Sequence, residues 1–273
     1  MQGSVIEVLH EAGIKISGIE RGYRPSVSLP DYDVKMLKPQ NIVEMLHHGS
    51  RDIGFAGADW VAELGVELIE LLDTQLDPVR IVAAAPSNIL ENNTWPKRHM
   101  SVATEYPVIT QRWIEKNGLD VEVVRAWGAT EVFPPEDADF IVDNTSTGST
   151  LKANGLTIVE DLMHSSTRLY ASPRAMEDDA LRVRIERFAM LVRSVLEARK
   201  RVMLEVNVSA ANLEAVIAVL PCMRGPTVAP LHHGGGYAVK AAVPRAQVAF
   251  IIPEIKAVGG TDIIVTSLTQ IVP

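Results

Sequence analysis

Short apolar runs rich in β-branched residues alternate with amphipathic helical patterns through most of this chain. Residues 52–65 predict a strand, a glycine turn and the start of a helix, and residues 80–86 predict a buried strand. Residues 101–118 predict a further strand and then a helix, with Pro107 in its first turn and Gly118 after its end. This alternation is typical of an α/β fold, in which we expect largely parallel sheets.

The pattern changes after a long predicted helix at residues 176–200, whose apolar side chains recur at helical spacing. The residues that follow predict the order strand, helix, strand, strand, helix, strand, which is the ferredoxin-like arrangement. The second of these helices contains Pro253, which we expect to kink it. The sequence therefore predicts two domains, residues 1–198 and residues 199–273.

The composition of the 273 residues excludes several classes of protein. No apolar run is long enough to cross a membrane, and the N-terminal residues lack the features of a secretory signal, so we expect a cytoplasmic protein. The single cysteine, Cys222, excludes an internal disulfide. The net charge of −8 argues against nucleic acid as a partner, so any phosphate should be bound by backbone amides and a few placed cations.

Asp143 ends the predicted strand 138–144, and small or hydroxylated residues fill the next six positions, 145–150. Ligands of open α/β sheets collect at the carboxyl ends of strands, and backbone N–H groups that lead into a helix bind anions. This pattern favours a phosphate loop, with Asp143 available to sugar hydroxyls. The alternative is that the loop only caps the following helix and that Asp143 caps the strand, and the local spacing leaves both open.

The same stretch resembles the ATP phosphoribosyltransferases, which catalyse the first step of histidine biosynthesis. The family pattern is roughly G-x-x-E-x-x-P, then A-D-x-I-x-D, then S-T-G-x-T-L-x-x-N-G-L, and residues 128–156 match it in that order. Further stretches similar to the family lie at residues 47–61, 102–118 and 165–173. The resemblance covers nearly the whole chain and implies a two-lobed catalytic part like that of periplasmic binding proteins.

The resemblance implies that the chain transfers the phosphoribosyl group of phosphoribosyl diphosphate to N1 of ATP and releases pyrophosphate. Since N1 already has a lone pair, such a reaction depends on orientation and electrostatics more than on a strong base. Asp143 and Glu131 are the candidate catalytic residues, and Mg²⁺ is the expected cofactor. The residues expected to bind phosphoribosyl diphosphate are Asp143, Ser146, Thr147, Gly148, Ser149 and Thr150.

The family comparison also implies an ATP site and a regulatory site. Lys38, Gly57 and Asp59 are expected near ATP, the alternatives being a solvated lysine and a turn. The C-terminal residues resemble the regulatory domain of the long form of the enzyme, which implies inhibition by histidine and assembly into dimers or hexamers. The expected histidine contacts are Asn207, Met223, Gly225 and Thr227, although a loop that packs a small core would have the same pattern.

The N-terminal residues differ from the family, whose members usually begin with a β-strand and a loop resembling LPKGRL. This sequence begins at a position that corresponds to the end of that loop. A missing strand would remove hydrogen bonds from the sheet and a cation from the substrate site. An alternative function is therefore a non-catalytic protein that binds phosphoribosyl groups or nucleotides. A nucleotide-binding dehydrogenase is disfavoured, because no G-x-G-x-x-G motif follows a strand.

The histidines and tryptophans have simpler interpretations. The pairs His47–His48 and His232–His233 lack the partner spacing of a metal site. The tryptophans are expected to pack in the protein more than to stack on ligands, although the first of them, beside Gly-Ala-Asp, could meet a base. The four are Trp60, Trp95, Trp113 and Trp127.

Overall fold

The computed structural model describes residues 1–90 and 94–272. The chain divides into two compact units, each with its own sheet. The first unit consists of residues 1–5, 20–25 and 34–186. The second unit consists of residues 6–19, 26–33 and 187–273.

Several helices begin and end where sequence signals indicate. The helix Pro107–Asn117 starts at its proline and stops before Gly118, whose φ of 62° is left-handed. The long helix expected from residue 176 starts instead at Asp179, because the preceding Asp178 is extended and its carboxylate accepts the N–H groups of the first turn. No helix in the described ranges is both long and apolar enough to cross a bilayer. The helices are α1 (Gln2–Glu11), α2 (Pro39–His47), α3 (Ala58–Leu64), α4 (Pro107–Asn117), α5 (Ser149–Ala153), α6 (Pro173–Glu177), α7 (Asp179–Arg199), α8 (Leu213–Val219) and α9 (Val248–Ala257).

The strands form a six-stranded sheet in the first unit, and a four-stranded sheet and a two-stranded ribbon in the second. The strands are β1 (Ile16–Ser17), β2 (Ser26–Val27), β3 (Ile53–Gly57), β4 (Ile69–Pro86), β5 (Met100–Thr104), β6 (Val121–Arg125), β7 (Phe140–Thr145), β8 (Leu156–Ala171), β9 (Arg201–Val208), β10 (Thr227–Pro230), β11 (Tyr237–Pro244) and β12 (Thr261–Ser267). The six-stranded sheet has the order β3-β8-β4-β7-β5-β6. This order places β7, which carries the predicted phosphate loop, near the middle of the sheet.

The expectation of largely parallel sheets is wrong. Only the pairings of β5 with β6 and β7 are parallel, whereas β3–β8, β8–β4 and β4–β7 are antiparallel. The difference comes from β4 and β8, which span 18 and 16 residues and run side by side in opposite directions. Shifts of register occur between Glu70 and Val79 and again between Ile81 and Ala84, so the side chains of β4 do not alternate regularly along the strand.

The long strands β4 and β8 connect two lobes of the first unit. In the first lobe, α2, α3 and β3 surround a core that contains Val43, Leu46 and Ala56. In the second lobe, α4 packs on β5 and β7 through Trp113 and Phe140. The two-lobed, periplasmic-binding-protein-like arrangement expected from the sequence is therefore confirmed.

A buried carboxylate joins these two lobes. Glu63 lies on α3 and is only 5% exposed. Its carboxylate accepts hydrogen bonds from the backbone N–H groups of Val108 and Ile109, at 3.0 and 2.9 Å. These N–H groups lie in the first turn of α4, where a helix offers unpaired donors and partial positive charge. Burial raises the pKa of the Glu63 carboxyl, and the two hydrogen bonds oppose that shift. Glu63 therefore acts as an N-terminal cap for a helix of the other lobe.

The second unit contains the predicted ferredoxin-like domain. Its sheet has the order β10-β11-β9-β12, and all its pairings are antiparallel. Alternate residues of β9 are buried against α8 and α9, among them Leu204 and Val206, which pack in one cluster with Val216 and Ile255. The order βαββαβ is confirmed, and Pro253 lies inside α9.

We predict that Glu63→Ala lowers the free energy of unfolding by about 1–3 kcal/mol, because two donors at the start of α4 lose their acceptor. Glu115→Ala is the matched control. Glu115 is exposed on α4, the helix that Glu63 caps, and its loss should change the free energy of unfolding by no more than about 0.5 kcal/mol. Urea denaturation followed by circular dichroism measures both. Equal stability of the two variants would show that the cap contributes nothing.

Candidate functional site

The end of β7 turns directly into the predicted loop. Three buried apolar residues, Phe140, Ile141 and Val142, anchor the strand in the core. The loop then closes on itself, because the backbone N–H of Gly148 donates to Oγ1 of Thr145 at 2.9 Å. The sequence therefore folds as expected into a strand, a short loop and the short helix α5, with the loop at the carboxyl end of the strand.

The loop presents its hydroxyl groups to solvent. Gly148 has a φ of 76° and lies at the N-cap of α5, where it has no side chain to cap the helix. The hydroxyl oxygens of Thr145 and Thr147 accept the N–H groups of Gly148 and Ser149, at 2.9 and 3.4 Å, so part of the loop caps the start of α5. The exposed hydroxyl-bearing residues of the loop are Ser146, Thr147, Ser149 and Thr150.

Asp143 lies partly buried at the base of this loop. One carboxylate oxygen accepts a hydrogen bond from the hydroxyl of Thr130, and the other accepts the backbone N–H of Asn144 at 2.6 Å. Burial raises the pKa of the Asp143 carboxyl, and the negative charges of Glu105 and Glu131 raise it further, while the two hydrogen bonds oppose the shift. The structure therefore brings Asp143 and Glu131 together, as expected, and adds Glu105 to the same acidic surroundings.

A chain of hydrogen bonds runs from Asp143 to the first lobe. The side-chain amide of Asn144 donates to the phenol oxygen of Tyr106 at 3.1 Å, and the Tyr106 hydroxyl donates to Asp59 at 2.9 Å. The other carboxylate oxygen of Asp59 accepts from the Ser165 hydroxyl at 2.6 Å. Asp59 is only 5% exposed, so both of its oxygens are used within the protein.

Gly57 has a spatial role beside this carboxylate. Its backbone angles, φ −71° and ψ 142°, suit any residue. A β-carbon at this position would lie 2.1 Å from Oδ1 of Asp59, however, which is far inside van der Waals contact. Gly57 is therefore required by the position of Asp59.

The whole chain is similar to known proteins. The model of the family described as ATP phosphoribosyltransferase matches residues 38–194, and the model of its C-terminal domain matches residues 198–270. This chain belongs to the ATP phosphoribosyltransferase family. The long form of the family, with its C-terminal domain, is thereby confirmed, and no observation favours the non-catalytic alternative.

Individual members of the family agree with this assignment. The ATP phosphoribosyltransferase of Chlorobium phaeovibrioides is 34% identical over 277 residues, which cover 100% of this chain and 94% of the relative. That of Pelotomaculum thermopropionicum is 32% identical and is covered to 96%. Among solved structures, the ATP phosphoribosyl transferase (HisG:HisZ) complex from Thermotoga maritima matches 71% of this chain and 93% of its own, with 27% identity and a TM-score of 0.63. The likeness therefore extends over both sequence and fold.

The remaining predicted residues lie outside this hydrogen-bonded group. Lys38 is exposed at the N-cap of α2. In the second unit, Asn207 donates to the carboxylate of Asp262 at 3.0 Å, and Thr227 lies two strands away, on β10, with β11 between them. Met223 and Gly225 are exposed in the loop before β10. The expected ATP and histidine contacts of this family member remain predictions.

Among the described residues, a cluster of metal-binding side chains is absent and a large cavity lies away from the loop. Within the described ranges, no group of three or more His, Cys, Asp or Glu side chains is placed to hold a metal ion. A cavity of about 690 Å³ is lined by parts of α3, β4 and β8 and by Arg112 of α4, but by none of the residues 143–150. We assign the site to the loop rather than to this cavity, because the family motif and the strand-end geometry coincide at the loop.

The positions of Tyr106 and Asn144 at the site were not predicted from the sequence, and the prediction that Trp127 packs in the protein is wrong. Tyr106 lies in a stretch already recognised as similar to the family, so the signal was present, but its partners come from distant segments. Trp127 was expected to pack, yet it is 81% exposed and stacks only on the guanidinium of Arg125, at 4.4 Å. Trp127 follows the end of β6 at Arg125 and precedes Gly128, whose φ is 87°.

We predict that Gly57→Ala lowers the free energy of unfolding by about 1–3 kcal/mol, because the added methyl group displaces the buried carboxylate of Asp59 from its donors. Gly3→Ala is the control, since that glycine lies in α1 with open space around its Cα and should be neutral or slightly stabilising. Thermal unfolding compares the two. An unchanged midpoint for Gly57→Ala would contradict the spatial argument.

Proposed function

We propose that this member of the ATP phosphoribosyltransferase family joins N1 of the adenine of ATP to C1 of phosphoribosyl diphosphate, with release of pyrophosphate, at the loop that follows β7. The observation that carries the proposal is the position of Asp143 at the carboxyl end of β7, directly before an exposed loop that enters α5 at Gly148. The same residues match the family motif. Site and family thus support one function.

The 5′-phosphate would be bound by the loop itself. Residues 144–151 contain no lysine or arginine, so the attraction comes from backbone N–H groups and from the hydroxyls of the serines and threonines. Gly148 supplies a left-handed residue of the kind that anion-binding loops contain. The residues assigned to phosphoribosyl diphosphate are Asp143, Ser146, Thr147, Gly148, Ser149 and Thr150.

Asp143 and Glu131 would act on the sugar. An ionised Asp143 accepts hydrogen bonds from ribose hydroxyls, and its charge stabilises the positive charge that develops on the ribose as pyrophosphate leaves. Thr130 and the backbone of Asn144 each donate a hydrogen bond to this carboxylate. No proton has to be removed from N1 before attack, so positioning is the main demand on the protein.

ATP would approach from the first lobe. Lys38 is an exposed cation at the start of α2 and is suited to a triphosphate. Gly57 and Asp59 would form the wall of the site on this side, since Asp59 is linked through Tyr106 to the residues around Asp143. Their contribution to ATP binding is to shape the site, because the Asp59 oxygens already have partners.

Mg²⁺ fits the donor chemistry around the loop. Asp143, Glu131 and Glu105 are oxygen donors, the type that magnesium prefers, and their charges would repel an uncompensated diphosphate. When bound, the ion would offset the charge of the diphosphate, using mostly substrate and water oxygens. Asp143 and Glu131 would face it from the protein. This division agrees with the lack of a preformed metal cluster within the described residues.

The second unit would regulate the enzyme. We place histidine near Asn207, Met223, Gly225 and Thr227, in the domain that matches the C-terminal family model. Inhibition would act by favouring a state with lower activity. We expect this chain to form homo-oligomers, from dimers to hexamers, as its resemblance to the family implies. A cytoplasmic location fits a biosynthetic transferase with a single cysteine.

The function is tested by measuring the formation of the phosphoribosylated ATP from ATP, phosphoribosyl diphosphate and Mg²⁺, with and without histidine. We expect product that requires Mg²⁺ and declines with histidine, and a loss of about 100-fold in kcat/KM for Asp143→Asn. Since the pKa of Asp143 is raised, its carboxyl takes up a proton at a higher pH than an ordinary aspartate does. As pH falls, affinity for phosphoribosyl diphosphate should therefore begin to decline at a correspondingly higher pH, and Asp143→Asn should lack this dependence. Binding without product would instead support the non-catalytic protein.

The loop is tested by a pair of matched glycines. Gly148 and Gly155 have φ values of 76° and 74°, so an alanine at either position should cost about 1–2 kcal/mol of stability. Only Gly148→Ala alters the loop, where its methyl group would lie 3.2 Å from Ile158. We expect Gly148→Ala to bind phosphoribosyl diphosphate at least about tenfold more weakly than Gly155→Ala by calorimetry. Equal affinities would show that the phosphate does not bind at this loop.

A further inference from the structure

The hydroxyl of Tyr106 lies between the two carboxylates of the site. It donates to Asp59 at 2.9 Å and accepts from the amide of Asn144 at 3.1 Å. A carboxylate can only accept, so the single phenolic proton is committed to Asp59. The phenolic oxygen of Tyr106 can then accept a hydrogen bond from the Asn144 amide. The direction of both hydrogen bonds at Tyr106 is therefore fixed.

The ring of Tyr106 is held independently of its hydroxyl group. Tyr106 is 1% exposed, and its ring packs on Trp60 with centroids 4.8 Å apart. Its backbone N–H donates to Oγ1 of Thr104 at 2.8 Å, and α4 begins at the next residue. Burial and the charge of Asp59 raise the pKa of the phenol, so it remains a proton donor. A phenylalanine would therefore keep the ring and lose only the two hydrogen bonds.

Asn144 connects Tyr106 to Asp143. Its backbone N–H and its side-chain amide both donate to Oδ1 of Asp143, at 2.6 and 3.2 Å. Asn144 is otherwise exposed at the end of β7, and within that strand its amide is described in contact with Asp143 alone. The only described contact that orients the amide from outside this pair is the one with Tyr106.

We propose that Tyr106 is a positioning residue for phosphoribosyl diphosphate: its hydroxyl orients Asn144, and Asn144 orients the Asp143 carboxylate toward the ribose hydroxyls. The inference rests on the proposed role of Asp143 in binding the sugar. It assigns to a buried tyrosine of the second lobe, anchored to Asp59 of the first, a function in substrate affinity that its burial alone does not reveal.

The test compares Tyr106→Phe, Asn144→Ala and the double variant. Each single change should raise KM for phosphoribosyl diphosphate by about fivefold to twentyfold, with kcat altered less than about twofold, because an oriented hydrogen bond in the bound state is lost. The double variant should resemble the worse single variant, since both changes break the same link. Effects that multiply would show that the two residues act separately and would overturn the proposal.

Ser165→Ala is the matched control. It removes the other hydroxyl donor of Asp59 and leaves the bonds among Tyr106, Asn144 and Asp143 intact. We expect it to lower the unfolding temperature while KM for phosphoribosyl diphosphate stays within about twofold of the parental value. An equal rise in KM for Ser165→Ala would assign the effect to Asp59 and overturn the proposed role of Tyr106.

Asp143→Asn separates this proposal from the proposed function. Calorimetric titration with phosphoribosyl diphosphate and Mg²⁺ measures affinity directly, and Asn144→Ala, at an exposed residue, remains informative if Tyr106→Phe folds poorly. If Asp143→Asn loses affinity and the Tyr106 and Asn144 variants do not, only the positioning role fails. If Asp143→Asn binds as the parental protein does, the assignment of Asp143 fails as well.

Discussion

One buried carboxylate, that of Asp59, holds three separate segments of the first unit in place. Its own residue begins α3, Ser165 comes from β8, and Tyr106 precedes α4. A carboxylate removed from water is costly unless donors surround it, so these segments must meet in one arrangement. The tight approach at Gly57 adds a steric condition to the electrostatic one. Parts of α3 and β8 and the start of α4 therefore meet at one buried side chain, and Glu63 adds a second link between the two lobes.

The acidity of the chain shapes how it can recognise a polyanion. Asp143 has Glu105 and Glu131 as negative neighbours, and the loop beside it supplies no cation of its own. At the proposed site, attraction would therefore be short in range, from backbone dipoles and hydroxyl groups, and the proposed Mg²⁺ carried with the substrate would add to it. A site of this kind discriminates by geometry more than by charge, because a misplaced phosphate meets carboxylates instead of donors.

Features that depend on neighbouring residues could be predicted from the sequence, whereas those that depend on distant partners could not. Pro107 and Gly118 mark the ends of α4, and the strand, loop and helix around Asp143 follow from local pattern alone. The antiparallel course of β4 and β8 was missed because bulges in β4 hide its alternation. The links of Tyr106 were missed because they join residues 38 and 47 positions apart.

The exposure of Trp127 has an optical consequence. Trp95 and Trp113 pack against Phe140, and Trp60 packs on Tyr106, whereas the indole of Trp127 is 81% exposed. It lies three residues before Thr130, whose hydroxyl donates to Asp143. The fluorescence of the chain therefore has one strongly water-exposed contributor close to the proposed sugar site, and the protein contains its own spectroscopic label for events there.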